Sequence, residues 1–358
     1  MKVLIAGGGT GGHLFPALAL AEAFKERDPR NEILFVGSRR GLEGSLVEKE
    51  GYALMTIDLA SLKGKSWFQK IRALLVVPRS LIQAAGVLRS FRPDWVMGVG
   101  GYASGPVVLA AWALGYKTFL QEQNVFPGLS NRILGRFVER AFISFAESAG
   151  HFPAGKAILT GNPVRRRIRA EKRAAASHPF TLLIFGGSQG AHRLNQVMGA
   201  TLPLLKDLQG KIRIIHQTGE RDFPEFRETY QREGFEAEVH PFIYDMDRVY
   251  GQADLVLCRA GATTLFELMA SGKPAILVPY PYAANDHQTL NAENLVRAGA
   301  ALRVADGELS PEIVNRLLRE LAADPRRLKE MGEKALALAR PEAAREIVNL
   351  CYETAGHG

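Results

Sequence analysis

Residues 7–13 read GGGTGGH; the apolar run Lys2–Ala6 precedes them and a helical pattern from Pro16 follows. A strand, a turn of nearly pure glycine and then a helix present backbone N–H groups to a phosphate. Glycine is needed because a side chain would block the approach and because the turn uses positive φ. One such loop is a weak signal, but a second copy stands half a chain length further on. TLLIFGGSQGAH (Thr181–His192) repeats VLIAGGGTGGH (Val3–His13): an apolar strand, paired glycines, a polar residue, another glycine and a final histidine. The chain reads as two similar α/β units, each opening on its own glycine loop.

Working outward, strand and helix patterns alternate, which predicts parallel sheets with helices on both faces. Strands are expected at Val3–Ala6, Ile33–Val36, Trp95–Val99, Thr118–Leu120 and Ala141–Ile143. In the second half they are expected at Thr181–Phe185, Ile212–His216, Ala237–Phe242, Leu255–Leu257, Ala275–Val278 and Ala301–Val304. Ligands of such sheets sit beyond the carboxyl ends of the strands. The glycine-rich pieces fall there: Gly7–Gly12 after the first strand and Gly98–Gly105 (GVGGYASG) at the end of Trp95–Val99. Gly7, Gly9 and Gly12 also satisfy the dinucleotide fingerprint. That fingerprint wants a ribose-binding acid after the second strand, where this chain has Val36-Gly37-Ser38-Arg39-Arg40. Only a 2′-phosphate would suit those arginines.

A chain of 358 residues suggests two domains, and 47% apolar content is ordinary for a globular protein. The formal charge of +8 makes an anionic partner plausible. Cys258 and Cys351 lie far apart without metal spacing, which fits a reducing compartment. No stretch has the apolar length of a signal peptide or a membrane span, so a soluble, unexported protein is expected. One segment could still touch a membrane. Trp67–Leu88 mixes apolar residues with Lys70, Arg72 and Arg79, and has Lys63, Lys65 and Arg89 at its flanks, as an interfacial helix does. The same pattern, kinked at Pro78, also fits a core helix.

Several polar groups fall at the ligand edge. Glu122, in Gln121-Glu122-Gln123-Asn124, is a carboxylate where chemistry could occur, although such groups more often pair with a neighbour. Gly161–Phe180 reads as a basic interdomain linker carrying Arg165–Arg167, Arg169, Lys172 and Arg173; Arg165 lies closest to the hinge. CRAGATTLFE (Cys258–Glu267) runs from a strand through small residues into a helix. Ala262, Thr263 and Thr264 would offer free N–H groups to an anion there. Glu267, further along, would be repelled by phosphate but accepts well from a ribose diol. DHQTLN (Asp286–Asn291) opens another helix, with Gln288 and Asn291 on one face. Asp245-Met246-Asp247 matches a metal-binding D-x-D, but two such acids at a helix start are more often caps.

Nine stretches in order carry a resemblance: GGTGGH with Phe15-Pro16, GGYASGP (Gly100–Pro106), EQN (Glu122–Asn124), TGNPVR (Thr160–Arg165), GGSQGA (Gly186–Ala191), HQTG (His216–Gly219), PFIYDM (Pro241–Met246), CRAGATTLFE and DHQTLNA (Asp286–Ala292). Over essentially its whole length the chain resembles the MurG family of bacterial cell-wall glycosyltransferases. The resemblance implies a GT-B fold, two Rossmann-like domains whose parallel sheets face across a cleft. Residues 1–163 would form an acceptor- and membrane-binding domain on which a last helix, about 341–358, packs back. Residues 164–340 would bind UDP-GlcNAc. It further implies inverting transfer of GlcNAc from UDP-GlcNAc to the MurNAc 4-hydroxyl of lipid I, giving lipid II for peptidoglycan synthesis, cell shape and cell division. No cofactor, no obligatory metal and no nucleic acid would take part. The enzyme would sit peripherally on the cytoplasmic face of the cell membrane, against anionic lipid and other cell-wall synthesis proteins. A UDP-GlcNAc 2-epimerase on the same fold is the alternative.

Carried onto this sequence, the resemblance gives Ser188 and Ala262–Thr264 to the diphosphate, which Arg165 approaches from the hinge. It gives the backbone of Ile243, with Phe242 alongside, to the uracil and Glu267 to the ribose. Gln288, Asn291 and Asn124 would hold the sugar. Thr10, Gly11 and Gly12 would face the acceptor and donor sugar, and His13 is the proposed base with Glu122 as its competitor. The family often has histidine before EQN; Gln121 stands there in this chain, so no acid–base role attaches to that position.

Overall fold

The computed structural model describes residues 1–38, 43–59, 67–170, 179–354 and 356, with the side chains of 43–45 and 67–76 left out. Arg39, Arg40, Lys63, Lys65, Lys172 and Arg173 lie outside the described residues, as do the side chains of Trp67, Lys70 and Arg72. The chain forms two compact units. The first holds Met1–Arg165 and Pro341–Gly358, the second Arg166–Arg340.

In the first unit the strands are β1 (Lys2–Ala6), β2 (Glu32–Ser38), β3 (Ala53–Ile57), β4 (Trp95–Gly98), β5 (Lys117–Glu122), β6 (Arg140–Ile143) and β7 (Ala157–Leu159). Its helices are α1 (Gly11–Arg27), α2 (Glu43–Lys49), α3 (Trp67–Phe91), α4 (Ser104–Ala113) and α5 (Leu129–Leu134). All neighbouring strands pair in parallel, in the order β3-β2-β1-β4-β5-β6-β7. The central strands are apolar on both faces because helices cover both. Val3, Ile5, Trp95 and Phe119 pack under α1, while Leu4, Ala6, Val96 and Leu120 pack under α3 and α4. The sheet order reverses between β1 and β4, so the loops Gly7–Thr10 and Val99–Ala103 open side by side.

The second unit repeats the plan with β8 (Phe180–Phe185), β9 (Ile212–Gln217), β10 (Ala237–His240), β11 (Leu255–Cys258), β12 (Ala275–Leu277) and β13 (Ala301–Arg303). Its helices are α6 (His192–Thr201), α7 (Phe223–Glu233), α8 (Met246–Gln252), α9 (Ala262–Ser271), α10 (His287–Arg297), α11 (Pro311–Ala322) and α12 (Pro325–Ala337). The order is β10-β9-β8-β11-β12-β13, again parallel, with its reversal between β8 and β11. Both units are thus doubly wound sheets of the Rossmann-like kind that compose the GT-B fold class.

The last helix, α13 (Ala343–Thr354), belongs to the first unit. It begins after Pro341 and buries Ile347, Val348 and Cys351 in the core shared with α1. Tyr352 meets the ring of Trp95 edge-on at 4.6 Å, and its hydroxyl takes a 3.1 Å hydrogen bond from Asn31 Nδ2. Among the described residues, no helix is long and apolar enough to cross a membrane.

Candidate active site

The two glycine loops of the first unit press against each other, and that contact explains their composition. A Cβ on Gly7 would overlap Val99 and approach the Gly100 carbonyl at 2.9 Å. Gly101, at φ 79°, leaves no room beside the Gly8 carbonyl for a side chain. A Cβ on Gly100 would stand 2.9 Å from His13 Nδ1, so the imidazole lies directly over this second loop. Thr10 is the N-cap of α1, extended and without a side-chain cap bond, and Gly11 and Gly12 form its first turn.

His13 is held by a residue to which sequence reasoning assigned no role. Its Nδ1 lies 3.0 Å from Gln123 Oε1. The Gln123 amide is itself fixed: Nε2 donates to the Val99 carbonyl at 2.8 Å and to Gln121 Oε1. Gln121, fully buried, donates onward to Asn162 Oδ1 at 3.1 Å. Because Gln123 turns an acceptor toward the ring, the neutral imidazole carries its proton on Nδ1 and its lone pair on Nε2. Gln123 sits inside the EQN motif, but only the fold shows that its side chain turns back toward α1.

Glu122 is 1% exposed and its carboxylate is heavily engaged. Oε1 accepts from the Asn124 backbone N–H at 2.9 Å and from Asn124 Nδ2 at 3.2 Å. Oε2 accepts from the Gly128 N–H at 3.1 Å and Asn131 Nδ2 at 2.9 Å. This arrangement folds the loop after β5 around the carboxylate and places Asn124. Arg165, also buried, lays its guanidinium over the Phe15 ring at 4.2 Å, two residues along α1 from His13.

In the second unit Ser188 lies partly exposed in the loop after β8. Gln217, at the end of β9, spans two pieces: its Nε2 donates to the Gly187 carbonyl at 2.6 Å, and its Oε1 accepts from the Ile243 N–H at 3.0 Å. The Ile243 N–H is therefore occupied within the protein. Phe242 packs on Tyr244 at 4.7 Å. Beyond β11, Gly261 caps α9 without a side chain, so the N–H groups of Ala262–Thr264 open the helix with no side-chain cap. The helix dipole favours an anion there. Glu267, buried one turn on, accepts from the Tyr250 hydroxyl at 3.1 Å. Gln288 Oε1 accepts from the Tyr280 N–H at 2.9 Å, and Asn291 is fully buried on the same helix. In the D-x-D, Asp245 stands at the N-cap of α8 without a side-chain cap bond, and Asp247 lies 3.5 Å from Arg167.

The final histidine of the second loop is wired differently from His13. His192 Nδ1 lies 2.8 Å from Asp222 Oδ2, which also accepts from Asn195 Nδ2 at 2.8 Å. Burial disfavours the Asp222 charge, but the hydrogen bonds from His192 and Asn195 and the charge of Arg221 outweigh it and hold the carboxyl below its usual range. Asn195 Oδ1 in turn meets His216 Nε2 at 3.0 Å, and Tyr230 hydroxyl meets His216 Nδ1 at 2.8 Å. Full burial pushes the His216 pKa down to about 3, so this ring is neutral.

Comparison with known proteins agrees with this architecture. Residues 3–143 match the glycosyltransferase family 28 N-terminal domain and residues 181–347 its C-terminal domain. The chain is 49% identical, over 99% of its length and 93% of the relative's, to the UDP-N-acetylglucosamine--N-acetylmuramyl-(pentapeptide) pyrophosphoryl-undecaprenol N-acetylglucosamine transferase of Myxococcus xanthus. It is 48% identical to the like-named protein of Geobacter sulfurreducens, over 98% and 97% of the two chains. The crystal structure of Acinetobacter baumannii MurG superposes with a TM-score of 0.75 at 32% identity, covering 98% of this chain and 99% of that one. A UDP-GlcNAc 2-epimerase from Neisseria meningitidis shares the fold alone, with a TM-score of 0.69 at 14% identity over 99% and 100% of the chains. With both domains matched in sequence and a member's structure matched in fold, the chain belongs to glycosyltransferase family 28, among its MurG N-acetylglucosaminyltransferases.

Proposed function

We infer that this chain transfers GlcNAc from UDP-GlcNAc to lipid I, forming lipid II in bacterial cell-wall synthesis. The observation that carries the reading is near-half identity over almost the full length to transferases named for that reaction. In the reaction the acceptor hydroxyl oxygen bonds to the anomeric carbon as the bond to the β-phosphate oxygen breaks. The bonding pair leaves with UDP, and the hydroxyl proton goes to a base.

We assign the base to His13. Its lone pair is set on Nε2 by Gln123, and it lies over the Gly100 loop at the first unit's switch point. Glu122, bound by four donors, serves instead to shape the Asn124 loop. In the second unit the opening turn of α9 and Ser188 stabilise the charge on the departing diphosphate. Arg165 adds a cation to that charge. Glu267 takes the ribose, Ile243 and Phe242 the uracil, and Gln288 and Asn291 the sugar. Thr10–Gly12 and Asn124 serve the sugars from the first unit.

A lipid acceptor requires contact with a bilayer, and the first unit offers the surface. Ile82 (73% exposed) on α3, Trp112 on α4, and Leu129 (70% exposed) and Ile133 on α5 face outward from helices that pack on one another, with Arg132 and Arg136 beside them. The segment Trp67–Arg79, apolar and basic in sequence, belongs to the same helix as Ile82. Such a patch fits peripheral binding to anionic lipid on the cytoplasmic face. The deciding experiment incubates the protein with UDP-GlcNAc and a lipid I analogue. UDP release that depends on the analogue is expected; formation of UDP-ManNAc without acceptor would overturn the reading.

A further inference from the structure

The loop between β12 and α10 carries two aromatic rings that no role above uses. Tyr280 is 43% exposed and Tyr282 80%, and their rings meet edge-to-face at 5.6 Å. Bare aromatic surface costs free energy in water, and here it stands at the carboxyl edge of the sheet, where these folds bind ligands. β12 is the immediate neighbour of β11, whose continuation opens α9. The loop is anchored to that neighbour. Arg259, the first residue after β11, donates through Nη1 to the carbonyls of Val278 and Pro279, both at 3.2 Å, and lays its guanidinium 5.6 Å from the Tyr280 ring centre.

The loop is equally tied to Gln288. The Tyr280 N–H donates to Gln288 Oε1 at 2.9 Å, which commits the acceptor end of that amide to the protein and presents the two N–H bonds of Nε2. Asn285 (φ 54°) and Asp286 (φ 51°) close the loop in the left-handed region, which asparagine and aspartate adopt more readily than other residues with side chains. A held pair of aromatic faces beside an amide donor is the surface that suits a pyranose: its hydroxyls take the hydrogen bonds, and its axial C–H bonds lie on the electron-rich ring face.

We propose that Tyr280 and Tyr282 form an aromatic platform for the GlcNAc ring of the donor, beside Gln288: one ring stacks on the sugar and the other, inclined 70° to it, braces the first. The proposal rests on the donor assignment above and adds two sugar-recognising residues to it. The test is saturation-transfer NMR with UDP-GlcNAc, irradiating the aromatic protons of the protein. The native chain should pass saturation to both the uridine and the GlcNAc ring protons. In Tyr280→Ala/Tyr282→Ala the GlcNAc signals should fall relative to the uridine signals, whose persistence shows that the variant is folded; an unchanged ratio overturns the platform. The KM for UDP-GlcNAc should rise roughly 3- to 10-fold, with competitive inhibition by UDP unchanged. Tyr282→Phe should behave as the native chain. Uridine saturation without GlcNAc saturation in the native chain overturns the platform and leaves the donor assignment standing, as it would if the rings met lipid or another protein. Saturation of neither overturns both. A Tyr282→Phe variant as defective as the alanine variant replaces stacking with a hydroxyl hydrogen bond.

Discussion

The loops ending in His13 and His192 share a sequence pattern and a place after the first strand of their unit, yet they point their histidines in opposite directions. His13 reaches Gln123, which follows β5, so its ring crosses the reversal between β1 and β4. His192 reaches Asp222, which follows β9, so its ring turns away from the reversal between β8 and β11. The crevice at such a reversal is where ligands bind. A repeated motif therefore fixes the backbone, while the strand that supplies the partner decides whether its histidine lies across the crevice or away from it. The chains of hydrogen bonds behind the two rings differ too. Behind His13 lie the amides Gln123, Gln121 and Asn162; behind His192 lie a carboxylate, Asp222, and a second imidazole, His216.

The largest test is catalytic. His13→Ala should lower kcat by ~10²–10⁴ with affinity for UDP-GlcNAc nearly unchanged, and should remove the limb of the pH–rate profile that belongs to the base. His192→Ala should cost less than about tenfold, since its removal strips no proton acceptor from the crevice. Equal losses in the two variants would break the distinction; a persistent limb in His13→Ala that disappears in Glu122→Gln would move the base to Glu122.

The backbone half of this comparison was legible in the sequence, and the side-chain half was not. Both glycine loops, and the strands that carry them, announce themselves through apolar runs buried on two faces. β3 and β7 escaped because they end the sheet: Ala53, Met55 and Thr56 of β3 face solvent, and β7 has three half-buried residues, so neither shows a continuous apolar run. The partners of His13 and His192 lie 110 and 30 residues away in sequence, a pairing that periodicity cannot express. Glu122 showed its position but not its four donors. Gln123 and Gln217 lay inside recognisable motifs, and only the fold reveals that each clamps two loops.

Next in size is a pH effect confined to the second unit. His216 is neutral in the fold and titrates near 6.5 when unfolded, against about 3 when buried. Between those values the unfolded chain binds more protons, so stability falls as pH falls, by about 1.4 kcal/mol per pH unit. All three tryptophans, Trp67, Trp95 and Trp112, lie in the first unit, so their fluorescence reports that unit's unfolding. Urea midpoints followed by circular dichroism from pH 7 to 4 should show a slope that His216→Gln flattens, while the tryptophan-reported transition keeps its own pH course. An unchanged slope in the variant would mean that acid acts elsewhere.

Glu267→Ala bears on which unit holds the donor. Removing an ionised acceptor from the ribose should weaken UDP binding by about 1.5–3 kcal/mol in calorimetry. The matching change at the first loop, His13→Ala, should leave that affinity within error. Unchanged UDP affinity in Glu267→Ala would withdraw the ribose role and, with it, much of the case for assigning the two units different substrates.

The smallest expected effect tests whether His192 is only a brace. The folded Asp222 carboxyl titrates below its unfolded value, so its charge contributes stability at neutral pH that is lost as pH falls through the folded value. Asp222→Asn keeps the shape and one acceptor oxygen but removes the charge facing His192 and Asn195. It should cost about 1 kcal/mol at pH 7, and the difference from the native chain should close as pH falls through the folded value of the native carboxyl. Turnover at pH 7 should stay within about threefold, because the group acts on the exit of the glycine loop and not on a reacting atom. A loss of kcat as large as that of His13→Ala, with stability intact, would show that the Asp222–His192 pair works on the substrate and that the two loops do the same chemistry after all.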